Sequence, residues 1–278
     1  EYDYLSLSVN GLFNRDFNQK NTTLQAGLSF AADEVDPVGG APIAFASMAD
    51  VGDPQPKESG TQSKDTIDFL LGVTQTLGHN TIGQLNYSLS NSSGYQTDPY
   101  KLLSVVNGST GETLDYVYEN RPEDRLKHSI YASIKHQFES TDIGEASYRL
   151  YTDDWGIDSH TIDLKYRFQF ASARYLQPHL RYYSQTEADF YRHSLIDGEQ
   201  TTLDEASADY RLGEFDAITA GLKYGMPVGN TGEFSIRGEY YLQTGDSSPG
   251  DAIGIQQDQD LYPDVDAYIL QINYSFRW

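Results

Sequence analysis

Charged side chains recur at alternate positions along six consecutive segments between residues 127 and 239. Bases outnumber acids there by eight to three, although the whole chain has 19 Lys and Arg against 41 Asp and Glu. The bases are Lys127, Lys135, Arg149, Lys165, Arg167, Arg181, Lys223 and Arg237, and the acids are Glu145, Asp163 and Glu239. A surface with this excess of positive charge attracts anions.

Two interpretations of this basic surface remain open. In the first, it lines a channel and forms a constriction that favours anions. In the second, it belongs to a plugged lumen, in which the bases pair with the three acids and with an acidic loop folded inward. Both interpretations require strands that turn these residues toward one shared space.

Eleven segments of the chain have the alternation that such strands need. Apolar and polar side chains follow each other with a period of two, so each kind occupies its own face of a strand. Segments of about ten residues with this pattern are typical of transmembrane β-strands. The segments are Tyr4–Phe17, Thr22–Ala31, Asp65–Leu77, Thr81–Ser90, Leu126–Phe138, Gly144–Thr152, Thr161–Phe170, Tyr175–Gln185, Ala217–Met226, Phe234–Gln243 and Tyr268–Trp278.

Short turns and longer loops alternate between these segments, as the periplasmic turns and extracellular loops of outer-membrane barrels do. The sequence therefore predicts one all-β domain over residues 1–278, a transmembrane antiparallel β-barrel. Eleven strands are visible, and we expect twelve or more in the intact protein, because single-chain bacterial barrels have even strand counts. The predicted extracellular loops are 32–64, 91–125, 186–216 and 244–265. The predicted location is the cell outer membrane of a Gram-negative bacterium, in contact with outer-membrane lipids.

The last segment is apolar on one face and ends on an aromatic residue. This pattern is similar to the C-terminal assembly signal of outer-membrane barrels, so we expect the barrel-assembly machinery to be a partner. The predicted signal comprises Tyr268, Leu270, Ile272, Tyr274, Phe276 and Trp278.

Composition excludes several other classes of protein. No run of 18 apolar residues is present, which rules out a transmembrane helix. The formal charge of −22 argues against nucleic acid as a partner. The chain has no Cys, so it forms no disulfides and no thiolate metal site.

Signals for catalysis and metal binding are weak. Asp153 and Asp154 lie near His160 and are the one candidate for an outer-membrane hydrolase, but His160 falls on the lipid-facing register. We therefore expect no enzyme and assign no catalytic residue. The acidic loop around Asp258 and Asp260 is a weak calcium candidate, because it lacks EF-hand spacing, and no other cofactor is expected. The calcium candidates are Asp258, Asp260 and Asp264.

Residues 100–119 contain two β-prone runs separated by Asn107-Gly108-Ser109-Thr110-Gly111, which predicts a hairpin above the barrel rim. It would be either a partner-binding surface or an extension of two strands past the membrane.

Several motifs together resemble one family. Arg174–Gln185 reads R-Y-L-Q-P-H-L-R-Y-Y-S-Q, Glu187–Tyr191 reads E-A-D-F-Y, and Asp36–Pro42 reads D-P-V-G-G-A-P. The chain is similar to the bacterial outer-membrane proteins of the domain-of-unknown-function 3570 family. The resemblance implies an outer-membrane barrel, supplies no accepted activity, and implies that an N-terminal part is missing here, since members are longer at that end.

The sequence supports three hypotheses about function. The first is a channel-like barrel with a basic lumen, or one that houses a periplasmic or lumen-bound protein partner. The alternative is a structural or adhesion barrel with a plugged lumen and functional extracellular loops. An outer-membrane hydrolase is a distant third.

Overall fold

The chain is built from β-strands, which account for 63% of its residues. The computed structural model describes residues 3–170, 173–229 and 231–276. The strands are β1 Tyr4–Phe17, β2 Thr22–Val35, β3 Ala41–Pro42, β4 Lys57–Glu58, β5 Gln62–Gly78, β6 Thr81–Gly94, β7 Leu102–Val106, β8 Thr113–Tyr118, β9 Asp124–Gln137, β10 Ile143–Asp153, β11 Asp158–Phe170, β12 Arg174–Gln185, β13 Leu195–Ile196, β14 Phe215–Val228, β15 Gly232–Gly245 and β16 Val265–Phe276. Short 3-10 turns occur at Asn18–Lys20, Glu199–Thr201, Tyr210–Leu212 and Gly254–Asp258. None of the helical turns within the described ranges is long and apolar enough to cross a membrane.

Eleven long strands form one antiparallel sheet, which confirms the predicted all-β barrel class. Their order is β1-β2-β5-β6-β9-β10-β11-β12-β14-β15-β16, so each strand pairs with the long strand next to it in the sequence. The strands are 11 to 17 residues long, longer than the roughly 9–11 residues that span a bilayer. The turns at 18–21, 79–80 and 138–142 lie at one end of the sheet, and the longer loops lie at the other.

The first and last strands of this sheet run in the same direction, because eleven antiparallel strands alternate in direction. Within the ranges that the structure describes, β1 pairs only with β2, and β16 pairs only with β15. Continuous antiparallel closure between them takes an odd number of further strands. The predicted twelfth strand stays a prediction.

The outer face of the sheet is apolar and exposed. Leu164 and Leu180 are directly opposite each other on β11 and β12, Ile218 on β14 is diagonal to Leu180, and 45–50% of their surface is accessible. Exposed aromatic side chains flank this aliphatic zone toward both ends of the strands, as the aromatic girdles of outer-membrane barrels do. They are Tyr148, Tyr182, Tyr240 and Tyr268 toward the loop end, and Phe17, Phe138, Phe170 and Phe276 toward the turn end.

The long loops pack together into a cap, which we define as residues 36–61, 95–123, 154–157, 186–214 and 246–264. Among the described residues, the clusters of buried apolar side chains lie in the cap, where Leu103 and Leu195 are completely buried. One cluster comprises Leu103, Val105, Val117, Leu195 and Ala206, and a second comprises Trp155, Ile157, Ala188, Phe190 and Leu212. Apolar residues are thus exposed on the strands and buried in the loops, the reverse of a soluble β-protein.

The predicted hairpin within residues 100–119 is present as β7 and β8, but it extends no strand of the large sheet. Its strands join β13 in a separate three-stranded sheet inside the cap. Sequence reasoning offered strand extension or a partner surface, and the structure instead buries the apolar side of this hairpin under the neighbouring loops.

Two glycines allow the backbones of two cap loops to approach each other closely. Gly111 and Gly254 have φ angles of +72° and +53°, which non-glycine residues rarely adopt. A Cβ atom on Gly111 would lie 1.9 Å from the Ile253 carbonyl oxygen, and one on Gly254 would lie 2.1 Å from that of Thr110. Only glycine allows this backbone approach.

Candidate functional site: the inner face and the cavity beneath the cap

The structure places the predicted charged residues on β9 to β15, at positions that alternate with the exposed apolar ones. We call this side of the sheet the inner face, because cap residues adjoin it. The sheet's register brings many of these side chains onto neighbouring strands. Glu145, for example, lies directly between Lys135 and Lys165.

Three of the eight bases have carboxylate partners. Lys135 Nζ lies 3.5 Å from Glu145 Oε2, and Lys165 Nζ lies 2.7 Å from Asp163 Oδ1. Arg237 Nη1 lies 3.7 Å from Glu239 Oε1, and its Nη2 donates to Gln271 Oε1 at 2.6 Å. These pairs match the plugged-lumen interpretation, but they use all three predicted acids.

His179 bridges two of those acids, a role that the sequence did not suggest. Its Nε2 lies 2.8 Å from Asp163 Oδ2, and its Nδ1 lies 2.7 Å from Glu239 Oε1. The bridge reaches from β12 to β15 because Gly221 of β14 lies between them without a side chain. A Cβ on Gly221 would come within 2.5 Å of the Glu239 side chain.

The His179 bridge needs a proton in each of its two hydrogen bonds. A neutral imidazole carries one N–H, whereas two ionised carboxylates each need a donor. A ring with a proton on each nitrogen donates to both carboxylates. A ring with one proton donates to one of them, and the second hydrogen bond then comes from a carboxyl group that shares a proton with the ring. The alternation rule placed His179 on the polar face, but the pairing across three strands depends on register and on Gly221.

A second inner-face cluster surrounds the buried ring of Tyr175. The Arg167 guanidinium carbon lies 3.5 Å from the ring centroid, and Lys223 Nζ lies 5.6 Å from it. The Tyr175 hydroxyl donates to Glu233 Oε1 at 2.7 Å, and the ring lies over Gly225. This cluster holds two of the predicted bases by cation–π contact rather than by ion pairs.

Five of the eight bases have no carboxylate within 4.0 Å among the residues that the structure describes. The Arg149 guanidinium carbon lies 5.7 Å from the centroid of the Tyr131 ring. These five bases therefore carry positive charge along the inner face without a salt bridge. The five bases are Lys127, Arg149, Arg167, Arg181 and Lys223.

A cavity of about 450 Å³ lies between the inner face and the cap. Arg149 and Arg181 line it from the sheet, on either side of Thr161. Arg149 is directly opposite Thr161 across the β10–β11 pair, and Arg181 is diagonal to it across β11–β12. The lining comprises Arg121, Arg125, Arg149, Tyr151, Ile157, Ser159, Thr161, Arg181, Tyr183, Gln185, Asp209, Arg211 and Leu212.

A buried charge network closes the cavity on the cap side. Arg121 Nε lies 2.6 Å from Glu119 Oε1, and its Nη2 donates to Asp209 Oδ2 at 2.9 Å. Both carboxylates are almost fully buried. Ser207 donates to Glu119, and Arg211 Nε donates to Asp209 Oδ1 at 2.9 Å. Partners up to 90 residues apart meet here, which no local sequence pattern indicates.

Arginine contacts keep Asp209 ionised. Burial acts to raise the pKa of the Asp209 carboxyl, but hydrogen bonds from Arg211 and the charge of Arg121 outweigh it and lower this pKa to about 2. The loop acids Glu119 and Asp209 thus neutralise loop arginines. They do not neutralise the bases of the inner face.

The hydrolase candidates contact neighbouring residues near the loop end of the sheet, with Asp153 on the inner face and His160 on the outer face. Asp153 accepts from Arg125 Nε at 2.9 Å and from the Tyr151 hydroxyl at 2.7 Å. Asp154 accepts from the Leu126 backbone N–H at 2.9 Å. His160 Nδ1 lies 2.6 Å from the Tyr148 hydroxyl on the outer face.

The remaining predicted sites lie in the cap and on β16. No group of three His, Cys, Asp or Glu side chains within the described ranges is close enough to hold a metal ion, and this includes Asp258, Asp260 and Asp264. The predicted assembly-signal residues Tyr268, Leu270, Ile272, Tyr274 and Phe276 share the outer face of β16, a strand that is exposed on both faces. Trp278 lies outside the described residues.

The fold and its outward apolar face define a protein of the barrel-forming β class. The family model described as "Protein of unknown function (DUF3570)" matches residues 1–276, and the chain belongs to this family. Among curated proteins, none matches the chain.

Two solved structures are similar to the chain at low sequence identity. The chain is similar to OmpT (in-vitro folded), an outer membrane protein of Vibrio cholerae, in its trimer form. Identity is 11% and the TM-score is 0.40, over 98% of this chain and 95% of that one. It is also similar to a chain in the FpvAI–pyocin S2 complex, with 9% identity and a TM-score of 0.42, over 99% of this chain and 40% of that one.

Proposed function

We propose that the protein is an outer-membrane barrel whose basic lumen draws in and conducts small anions. The observation that carries this proposal is the set of five inner-face bases without carboxylate partners. Positive charges on a wall of low dielectric constant raise the local concentration of anions. The acids that outnumber the bases in the whole chain lie mainly in the loops, where Glu119 and Asp209 pair with cap arginines.

The exposed apolar outer face supports the membrane location. Soluble monomers rarely expose apolar patches larger than a few hundred Å². Here the exposed aliphatic residues continue from strand to strand between two sets of aromatic residues, which matches a hydrocarbon layer with two interfaces.

Neutralising three unpaired bases is expected to weaken anion preference. The variant combines Arg149→Gln, Arg167→Gln and Arg181→Gln, in protein recovered from the outer-membrane fraction. In a planar bilayer under a KCl gradient, wild type should give a reversal potential on the anion-selective side. The variant should lose about fivefold in anion-to-cation permeability, the effect of about 1 kcal/mol of lost attraction.

A control variant with the same change in net charge isolates the inner face. It combines Lys20→Gln, Lys57→Gln and Arg192→Gln, which lie in a turn and in the cap. Its reversal potential should equal that of wild type. Equal selectivity in all three proteins, or recovery of the chain only from the soluble fraction, would refute the proposal.

A specific observation also favours the structural or adhesion barrel. The cap has its own buried core and sheet, which makes it a well-packed surface rather than a set of mobile loops. The same bilayer experiment separates the two functions. No conductance above background, from protein that keeps heat-modifiable mobility in gels, would favour this second function over the channel.

A further inference from the structure

We infer that the cavity beneath the cap is a binding site for a small organic anion, one that carries a carboxylate or phosphate group beside a compact apolar part. The inference deepens the proposed function, because it locates on the same inner face a site where an anion is held. It stands on three observations: two arginines without salt bridges, the free hydroxyl groups beside them, and the apolar side chains opposite.

The arginines that line the cavity fall into two groups. Arg121, Arg125 and Arg211 are engaged with the carboxylates of the cap and its border. Arg149 and Arg181 have no carboxylate within salt-bridge distance anywhere in the described ranges. Two guanidinium groups that line one cavity repel each other, and an oxyanion between them relieves that repulsion while accepting paired N–H bonds.

Two hydroxyl groups of β11 supply neutral donors, one between the two arginines and one next to it on the same face of the strand. Thr161 is the direct cross-strand neighbour of Arg149 and a diagonal neighbour of Arg181. Ser159, two residues earlier on β11, is buried and also lines the cavity. Neither hydroxyl has a hydrogen-bond partner among the described residues, so both are available to an oxyanion.

The cap side of the cavity is partly apolar. Ile157 and Leu212 line it and belong to the second buried cluster of the cap. A hydrated inorganic ion gains nothing from these side chains, whereas an organic anion with a few carbon atoms buries apolar surface against them. A volume of about 450 Å³ lies within the usual range of small-molecule sites.

Binding measurements on the intact protein test the site. The probes are benzoate, phenyl phosphate and chloride, titrated calorimetrically into the folded protein in detergent. We expect saturable binding of one of the two organic anions and none of chloride. The relative affinities of benzoate and phenyl phosphate distinguish a carboxylate site from a phosphate site.

The variant Arg149→Gln with Arg181→Gln is expected to lose roughly a hundredfold in affinity, because two sets of charge-assisted hydrogen bonds disappear. The matched control is Arg167→Gln with Lys223→Gln, which removes two unpaired inner-face bases at the Tyr175 cluster. Its affinity should remain within about twofold of wild type. Heat-modifiable mobility verifies that both variants fold.

The outcomes separate this site from the channel. Absence of saturable binding of both organic anions up to about 10 mM, or equal losses in the two variants, would overturn the site. Anion selectivity without saturable binding would leave the proposed function standing alone. Saturable binding that depends on Arg149 and Arg181, without conductance, would support the site and remove the channel.

Discussion

Replacing Arg121 with Met is expected to release the cap while the large sheet stays folded. Arg121 contacts both Glu119 and Asp209, and its loss leaves two buried carboxylates with fewer partners. Breaking a buried ion pair by removing one partner typically costs about 3–5 kcal/mol. Limited proteolysis should therefore cut within residues 95–123 and 186–214 far faster than in wild type, while heat-modifiable mobility persists.

Lys101→Met is the matched control for the cap network. Lys101 Nζ lies 3.8 Å from Asp209 Oδ1 and is one-third exposed, so its loss should cost less than about 1 kcal/mol.

The stability of the cap is expected to depend on pH through Asp209. Because its pKa is lowered, its contribution is present above its unfolded pKa of about 4 and is lost as the pH falls toward 2. Cap proteolysis that is equal in both variants, or already rapid for wild type at pH 5, would contradict this role of the network.

Replacing His179 with Leu is expected to destabilise the sheet itself. The substitution leaves Asp163 and Glu239 without the imidazole between them, while Lys165 and Arg237 remain nearby. A buried acceptor without its donor costs about 1–3 kcal/mol, and more when it is charged. The midpoint of thermal unfolding, measured by loss of heat-modifiable mobility, should fall by several degrees.

His179→Gln separates hydrogen bonding from packing in the same position. Its amide keeps N–H donors near the carboxylates but lacks the two opposed ring nitrogens, so we expect an intermediate midpoint. The Leu variant should also shift selectivity toward cations, because two carboxylates lose their shared donor. A Leu variant as stable as wild type would show that the bridge contributes nothing.

The large sheet could be predicted because its determinants are local. Leu164, Tyr166 and Phe168 of β11 alternate with Lys165 and Arg167, and this alternation alone assigns each side chain to a face. The alternation of short turns and long loops then fixes which strands pair. The structure extends the strands past the predicted bounds, since β2 continues to Val35 and β6 to Gly94.

The cap could not be predicted because its contacts are distant in sequence. Leu195 of β13 pairs with Val105 of β7, and Glu119 accepts from Ser207. The sequence predicted the hairpin within residues 100–119, but periodicity does not indicate that residues of loop 186–214 pack against it in a shared core. The φ angle of Gly111 likewise follows from a neighbour in another loop.

The inner face could be predicted only in part. Alternation alone placed Arg149 and Arg181 on the polar side of their strands, but it could not tell whether either has a partner. That depends on the register between strands and on where the loop acids lie. Asp209 could have neutralised Arg181, and instead it binds Arg121 and Arg211 in the cap.

Locating bromide in crystals of the folded protein would test most directly whether the unpaired inner-face bases hold anions. Anomalous diffraction identifies bromide ions independently of the protein model. We expect peaks on the inner face, beside the bases that have no carboxylate partner. Peaks confined to the outer surface of the cap and the turns, with none on the inner face, would contradict it.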